Sequence, residues 1–422
     1  SDFDELSRMT QRRWSGGNTS NAQPTDILRE VSTHDANGQL ISQSQFEQGG
    51  TSHTVSNVFD RQRRLSTETD RFGVSTTHEY DAQDNRIARI DPSGRSVFGF
   101  DPLNRLRSVQ PAVGASTESP VALAYTDAGR LKQQFAPNGA HSEHVYDPAG
   151  RIKTLIHTQT GVEVARFEYA YDGNGNRSGQ SQTTPAGIRT TTYRYDRDDR
   201  LIGTDERTEG GRLIATLTTL DAVGNRKTEA VTDNGVATQT RSYAYSPRHA
   251  LQSRSDSVDG NTVSYSHDAN GSLTRETSTG SARGSVPAST TSYRRNPQDR
   301  LATLTAPTGP PVDYHYDSRG LRVEKRSALA ATRFGYDGRR LRRETNVANN
   351  LLATYEWAAG RLVHSQQQSN TRYPQHDALA TPIRWSSSDG AEQGKRTIDA
   401  WGTTTSSTGS LPPIGFTGHY LD

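Results

Sequence analysis

The sequence predicts an all-β protein in which repeated hairpins join into one continuous, coiling sheet. Three observations support this fold class. A seven-residue motif recurs along almost the whole chain, strand-like alternation of side chains precedes many copies, and no stretch sustains the 3.6-residue period of a helix. Only 30% of the residues are hydrophobic, so such a sheet cannot enclose a large solid apolar core.

The motif is clearest at residues 146–152, Tyr-Asp-Pro-Ala-Gly-Arg-Ile, which give an aromatic residue, an acid, a variable centre, then Gly, Arg and an aliphatic residue. Neighbouring copies start mostly about 20–25 residues apart, a spacing typical of repeat architectures. The copies begin at Phe3, His34, Phe59, Tyr80, Phe100, Tyr125, Tyr146, Tyr171, Tyr195, Leu220, Tyr245, His267, Arg295, Tyr316 and Tyr336. A series this regular predicts a repeat array.

Each copy predicts a tight turn between two strands. Asp favours the start of a turn because its side chain can accept a hydrogen bond from the backbone two residues on. Gly supplies a positive φ near the end of the loop, which we expect at Gly150 and Gly320. A second turn between copies, as at residues 91–94, leaves two strands of about 5–7 residues in each repeat.

The aromatic places predict a ladder of packed side chains. Period-two alternation puts Tyr193 and Tyr195 on one face of a strand, and the same spacing recurs at Tyr169 and Tyr171. Stacked hairpins would align one aromatic residue per repeat. We predict that the structural residues are Phe59, Tyr80, Phe100, Tyr125, Tyr146, Tyr171, Tyr195, Tyr316, Asp147, Asp196, Gly150, Arg151 and Gly320. His34 and His267 occupy the aromatic place, so we interpret both as packed rungs.

The chain divides into three parts by motif content. Residues 1–30 hold one copy and a polar loop, residues 31–362 form the repeat array, and residues 363–422 lack clear copies. The chain begins close to a copy at Phe3, and its single methionine is Met9. We therefore expect a piece of a longer polypeptide.

Composition excludes several classes of protein. The 49 Lys+Arg and 47 Asp+Glu leave a charge of +2, so a nucleic-acid-binding surface is not predicted. Cysteine is absent, which excludes disulfides and thiol chemistry. No segment approaches the ~18 apolar residues of a membrane span. Low hydrophobicity suits disorder as well as a thin sheet, but the 17 Tyr, 10 Phe and 4 Trp recur at repeat positions and favour the sheet.

The acidic residues do not predict an active site. A catalytic pair needs two different environments to separate two pKa values, whereas the motif aspartates share one environment. These are Asp60, Asp81, Asp101, Asp147, Asp172, Asp196, Asp221, Asp317 and Asp337. The segment from Asp172 opens like a calcium loop but has Arg177 where Gly is required. We predict no catalytic residue, no metal site and no cofactor.

One polar pair, His376 and Asp377, stands outside the repeat pattern by sequence. We interpret it as a candidate C-terminal loop site with a structural role.

Taken together, these segments resemble the YD repeats of the Rhs proteins and their relatives, the C components of bacterial Tc toxins and the teneurins. The resemblance covers nearly the whole chain and includes residues 336–341 and 373–382. Residues 399–402 and 414–422 resemble the start of the Rhs core-associated region, so the resemblance implies that residues 363–422 are the truncated start of that C-terminal region. It implies a sheet that spirals around a hollow lumen. Ala378 and Ala380 depart from the family pattern, which has Gly before Thr-Pro. The aspartate-based autoprotease site of the family would lie beyond Asp422.

The resemblance implies a shell segment of a polymorphic toxin, made in the bacterial cytoplasm and then secreted or translocated. Its implied partners are a C-terminal toxin effector, the remaining shell segments and a component of a secretion or translocation system. The implied setting is bacterial competition, including type VI secretion, or attack on host cells. The alternative is a cell-surface adhesion or glycan-binding module, which would present its aromatic side chains to solvent instead of packing them between repeats.

Overall fold

The computed structural model describes residues 1–14, 26–112, 119–281 and 287–421. Within these ranges the chain forms 36 strands, all of which belong to one antiparallel sheet. Strands take up 61% of the described residues and helix 1%. The predicted all-β fold class and continuous sheet are therefore confirmed.

The strands follow one another at short intervals. The first twelve are β1 (Asp2–Phe3), β2 (Met9–Arg13), β3 (Ile27–His34), β4 (Leu40–Glu47), β5 (Ser52–Phe59), β6 (Leu65–Thr69), β7 (Ser75–Tyr80), β8 (Arg86–Asp91), β9 (Gly94–Phe100), β10 (Leu106–Gln110), β11 (Val121–Tyr125) and β12 (Leu131–Phe135). The next twelve are β13 (Ala140–Tyr146), β14 (Ile152–Gln159), β15 (Val162–Tyr171), β16 (Arg177–Thr184), β17 (Gly187–Tyr195), β18 (Leu201–Thr208), β19 (Leu213–Leu220), β20 (Arg226–Asp233), β21 (Val236–Tyr245), β22 (Leu251–Asp256), β23 (Thr262–His267) and β24 (Leu273–Ser278).

The last twelve strands lead into the C-terminal segment. They are β25 (Ser289–Arg295), β26 (Leu301–Thr305), β27 (Val312–Tyr316), β28 (Arg322–Arg326), β29 (Ala331–Asp337), β30 (Arg340–Thr345), β31 (Leu351–Ala358), β32 (Arg361–Gln367), β33 (Asn370–His376), β34 (Pro382–Ser387), β35 (Glu392–Ile398) and β36 (Thr404–Gly409). A single 3₁₀ turn, Phe416–Gly418, follows them. No helix in the described part of the chain is long and apolar enough to cross a membrane.

Strand pairing follows chain order, and the motif fixes the register. In the β13–β14 hairpin Val145 faces Thr154, whereas the next residue, Tyr146, faces Ile152. The register therefore shifts at the aromatic residue, which is the bulge expected when a type I turn is followed by a residue with positive φ. The same shift accompanies Phe59, Tyr80 and many other copies.

The chain divides into two compact units. The first comprises Ser1–Val121, Ser292–Ala358 and Val363–Thr371, and the second comprises Ala122–Thr291, Ala359–Leu362 and Arg372–Asp422. Each unit therefore combines an early and a late part of the sequence. The boundaries at residues 30 and 362, which rest on motif content, stay sequence-based predictions.

The buried side chains of each unit include many polar and charged residues. In the second unit a small apolar cluster of Leu155, Ala165, Phe167 and Tyr169 lies on β14 and β15. Buried polar side chains are frequent in both units. This composition agrees with the low hydrophobic content of the chain.

Candidate functional site

The repeated turn is built by one aspartate. At residues 147–151 the Asp147 amide donates to the Arg151 carbonyl oxygen, and the Gly150 amide donates back to the Asp147 carbonyl oxygen, both at 2.9 Å. The Oδ1 atom of Asp147 accepts the Arg151 amide at 2.8 Å, and Oδ2 accepts Arg151 Nε at 2.7 Å. The hydrogen bond from the Arg151 backbone amide lowers the pKa of the Asp147 carboxyl group. Both carboxylate oxygens therefore hold the turn and are not free to react.

Glycine meets a backbone requirement in this turn. Gly150 has φ of 81° and Gly320 has φ of 85°, values that other residues rarely adopt. Where a copy lacks glycine, Arg63, Asn104 or Asp199 takes the same conformation. Asp and Asn tolerate it better than most residues.

A second set of bonds joins each motif to the next one along the chain. The hydroxyl of Tyr171 donates to the Ile152 carbonyl oxygen at 2.8 Å, and the Arg151 guanidinium lies 4.3 Å from the centre of the Tyr171 ring. The same hydroxyl-to-carbonyl bond is made by Tyr80, Tyr146, Tyr195, Tyr316 and Tyr336. We call this connection the repeat relay. The sequence predicted an aromatic ladder, but the use of the hydroxyl as a connector has no sequence signal.

Arginine also crosses to the next turn. Arg64 Nη1 donates to the Asp81 carbonyl oxygen at 3.0 Å, and Arg300 Nη1 does the same to Asp317. One guanidinium thus binds its own aspartate, stacks on the next aromatic ring and reaches the next backbone. A lysine cannot make all three contacts, because it is a point charge without a planar fork.

The structure places the predicted motif residues in equivalent positions. All eight predicted aromatic rungs are half-buried, and so are Asp147, Asp196, Gly150, Arg151 and Gly320. His34 faces Leu40 and His267 faces Leu273, which is the register of an aromatic rung. Their functional importance stays a prediction.

The sequence-based interpretation of His376 and Asp377 as lying outside the repeat pattern is wrong. The Asp377 amide donates to the Thr381 carbonyl oxygen, and Asp377 Oδ1 accepts the amides of Leu379 and Thr381 at 2.8 and 2.9 Å. His376 faces Pro382 in the register of an aromatic rung. The segment is a motif copy, hidden because Ala380, with φ of 63°, stands where glycine would reveal it.

Three histidines of the second unit form a buried cluster, which we call the histidine seam: His144 on β13, His157 on β14 and His376 on β33. The His157 ring bonds to Ser142 Oγ through Nδ1 and to the His376 carbonyl oxygen through Nε2, both at 2.8 Å. A carbonyl oxygen only accepts, so Nε2 carries a proton. Burial lowers the pKa of His157 to about 4, so the ring is neutral near pH 7 and Nδ1 accepts from Ser142 Oγ.

Burial shifts the titration of all three rings in the same direction. It lowers the pKa of His144 to about 3 and that of His157 to about 4, and it lowers the pKa of His376 well below its usual value. The nearby Arg361 guanidinium acts in the same direction on each ring. Arg361 itself donates to the Asp377 carbonyl oxygen at 3.2 Å.

A different polar cluster lies in the first unit, which we call the ionic cluster. Arg89 Nη2 donates to both carboxylate oxygens of Glu356, at 2.9 and 2.8 Å, and Ser96 Oγ adds a bond at 2.9 Å. Asp337 accepts from Arg86 and Arg89 at distances between 2.5 and 2.7 Å. These partners are separated by about 250 residues of sequence, so sequence patterns could not pair them.

Arg342 extends the ionic cluster and is almost fully buried. Its Nε atom lies 3.7 Å from Asp91 Oδ2 and 3.8 Å from Glu356 Oε2, and its Nη2 atom donates to Ser93 Oγ at 2.9 Å. Each buried arginine of the cluster therefore lies beside at least one carboxylate, which offsets the cost of burying its charge.

The described residues contain no group of three or more His, Cys, Asp or Glu side chains that could hold a metal ion. The segment from Asp172, which resembles a calcium loop by sequence, forms the same turn as residues 147–151, with Asp172 Oδ1 accepting the amides of Asn174 and Asn176. The arrangement can align and hold strands, and its carboxylates are committed to that task.

Two protein-family models match ranges of this chain. The family model described as Teneurin YD-shell matches residues 116–422, and the RHS Repeat model matches residues 59–96. The tRNA3(Ser)-specific nuclease WapA of Bacillus spizizenii is 26% identical over 197 residues, which are 46% of this chain and 8% of that protein.

Solved structures share the fold at low identity. The TcdB2-TccC3 structure has a TM-score of 0.61 and 15% identity, over 99% of this chain and 23% of that one. The structure of TcdB2-TccC3 without its hypervariable C-terminal region has a TM-score of 0.58 and 13% identity, over 93% of this chain and 24% of that one. The chain thus spans less than a quarter of the length of each of these proteins.

Proposed function

The chain belongs to the Teneurin YD-shell family, and from that membership we propose that it is a wall segment of a Rhs-type toxin shell. In this proposal the sheet coils around a lumen that encloses a C-terminal effector until the effector is delivered to competitor or host cells. The assembled protein is secreted or translocated after synthesis in the bacterial cytoplasm. Its partners are the effector, the remaining shell segments and a component of a secretion or translocation system.

The repeat relay is the observation that carries this proposal. A wall that is one sheet thick cannot be held by a deep apolar core, so neighbouring repeats must be joined by specific bonds. Tyr171 and Arg151 supply such bonds, and the same pair of residue types recurs along the array. The relay therefore gives a thin sheet continuity over many repeats, which is what a container requires.

The chemistry of the turns supports a structural role. Asp147 and Asp196 use both carboxylate oxygens within their own turns, in the same geometry. Equivalent, fully bonded carboxylates offer no division into acid and base. The work of the chain is then confinement, and catalysis belongs to the enclosed effector.

The relatives support an enclosed effector of variable kind. One relative is named as a nuclease, and one solved structure is described as lacking a hypervariable C-terminal region. A constant shell with a changeable C-terminal passenger would account for both descriptions.

The aromatic side chains favour a shell over a glycan-binding module. Trp385 is fully buried, and the indole of Trp357 donates to the Leu341 carbonyl oxygen at 2.7 Å. The Arg226 guanidinium lies 5.6 Å from the centre of the Trp401 ring. We expect blue-shifted tryptophan emission that acrylamide quenches weakly. Red-shifted, strongly quenched emission, together with saturable changes on adding glycans, would favour the glycan-binding alternative.

Limited proteolysis of the protein expressed from its natural gene tests confinement. We expect residues C-terminal to the array to resist protease while the sheet is folded and to be cut rapidly once denaturant opens it. The matched control is the same C-terminal segment expressed alone, which should be cut at once. Equal cutting rates in the two proteins would overturn the proposal.

A further inference from the structure

The histidine seam fastens a late segment of the chain onto strands of the early array within the second unit. Gln375 Nε2 donates to the Thr158 carbonyl oxygen at 3.2 Å, and Asn138 Nδ2 donates to Ser386 Oγ at 2.8 Å. The Ala378 amide donates to the Tyr169 hydroxyl at 3.3 Å. Residues 375–387 thus lie against β13–β15 and the turn before β13 through these polar contacts, and through Ala378 and Ile383, which pack against the apolar cluster of β14 and β15.

His157 stands at the centre of these contacts and is only 1% exposed. Its neutral tautomer donates to the backbone of His376 and accepts from Ser142. A proton added at Nδ1 would reverse the bond to Ser142 and place a full positive charge in the buried layer. An uncompensated buried charge is strongly destabilising.

The surroundings do not compensate such a charge. Arg361 from β32 acts on all three rings, Arg384 from β34 acts on His157, and His141 from β13 acts on His144 and His157, each lowering the ring pKa. Tyr169 from β15, Arg177 from β16 and Tyr193 from β17 lie around Asp377, which follows β33. The single carboxylate, Asp377, is buried, which raises its pKa, and its Oδ1 atom already accepts two backbone amides. Protonated rings would therefore face positive charge.

We propose that the histidine seam is a proton-operated latch, in which the three uncharged rings hold residues 375–387 against β13–β15 and protonation of those rings releases the segment. The released state hydrates the rings and uncovers the apolar cluster of β14 and β15 that Ala378 and Ile383 cover in the closed state. The rest of the second unit, including β19–β22, stays folded because it carries no seam histidine. The latch does not depend on what the sheet encloses, so its failure would leave the proposed shell function standing.

The direction of the pH effect follows from the ring environments. Each ring has its pKa lowered in the closed state, to about 3 for His144 and about 4 for His157, from a value near 6.5 when hydrated. Between those values the open state binds more protons, so the closed state loses stability as pH falls below about 6.5. Three rings acting together would raise the opening constant by up to about a thousandfold between pH 6 and pH 5.

Hydrogen exchange with mass spectrometry on the whole chain tests the latch. Exchange is compared between pH 7 and pH 4.5 after correction for the intrinsic effect of pH on the exchange rate. We expect peptides from β33–β35 to lose protection by at least a hundredfold, while peptides from β19–β22 keep theirs. Loss of protection at one common pH in both regions would overturn the proposal.

Variants separate the latch from general acid unfolding. The glutamine in His157→Gln can still accept from Ser142 and donate to the His376 carbonyl oxygen, but it cannot take up the proton. For each unit by which the pH falls, the opening constant of this variant should therefore rise by a factor about ten times smaller than in the unmodified protein. His249→Asn, at an exposed turn of the same unit, should leave the pH dependence unchanged. An unchanged pH dependence in His157→Gln would also overturn the latch. Should His157→Gln fail to fold, His144→Gln provides the same test.

Discussion

The two units bury polar side chains by different means. The first unit uses formal charges, with Arg89, Arg342, Glu356 and Asp337 arranged so that each ion meets an opposite one. The second unit uses neutral histidine rings such as His157, which need only a donor and an acceptor. Buried ions tolerate mild acid but not the loss of a partner, whereas neutral rings tolerate replacement by a neutral amide but not protonation. Within one repeat architecture, the stability of the first unit therefore depends on intact charge pairs, and that of the second unit depends on uncharged rings.

The largest expected effect comes from removing a charge in the ionic cluster. Glu356→Gln leaves Arg89 and Arg342 without their shared anion, so we expect the unfolding free energy of the first unit to fall by ~3–5 kcal/mol. Urea denaturation followed by hydrogen exchange on β28–β31 measures it. The neutral replacement in the second unit, His157→Gln, should cost only ~1 kcal/mol at pH 7, because the amide carries a donor and an acceptor for the same two bonds. Equal costs would erase the contrast between the units.

The pH dependence of the first unit sharpens the comparison. Burial alone would raise the pKa of Asp337, but hydrogen bonds and charge from Arg86 and Arg89 hold it far below its usual value. Its stabilising contribution is therefore complete above the unfolded value near 3.8 and is lost only as pH falls below it. We expect Asp337→Asn to cost ~1–3 kcal/mol at pH 7 and progressively less below pH 4. A cost that already shrinks between pH 7 and pH 5 would contradict this assignment.

The turns should respond less strongly than either buried cluster. Gly150→Val forces a branched residue into φ of 81° and brings the new side chain against the Arg130 guanidinium, so we expect a loss of ~1–2 kcal/mol. Ala149→Val, at the exposed variable place beside it, should cost little. Thermal melts of the two variants give the comparison, and equal shifts would mean that the positive φ at Gly150 does not limit stability.

The smallest expected effect has the opposite sign. Ala380 adopts φ of 63°, in the region that favours glycine. Ala380→Gly should therefore stabilise the segment by ~0.5–1 kcal/mol, although glycine also gains entropy in the unfolded chain. Ala378→Gly, two residues earlier in the same turn and without positive φ, is the matched control and should destabilise. The midpoint of acid release of β33–β35 reports both changes, and a lower stability for Ala380→Gly would contradict the prediction.

Local features of the fold could be predicted because the motif encodes them within seven residues. The Asp147 turn, the positive φ of Gly150 and the half-buried rung at Tyr146 each depend on neighbours a few positions away. The same local logic failed at His376, since Ala380 conceals the turn that the backbone nevertheless forms.

The long-range clusters had no such signal. His157 contacts the backbone of His376, a partner 219 residues away, and Arg89 contacts Glu356 at a separation of 267 residues. Which strands meet within a unit depends on the twist that accumulates over many strands, and no single strand encodes that twist. By sequence, His157 is one polar residue in an alternating strand.

The repeat relay also decides how the chain responds to force. The Tyr171 hydroxyl and the Arg151 guanidinium link neighbouring repeats, whereas contacts such as the one from His157 to His376 link repeats far apart in the sequence. A pull on one end of the array would therefore load one relay junction at a time only where no long-range contact holds the repeat, and each repeat that comes apart would release about 65–90 Å of contour length for its 20–25 residues. A machine that draws the chain through a narrow opening from one end would then meet its greatest resistance at the repeats that carry the long-range contacts.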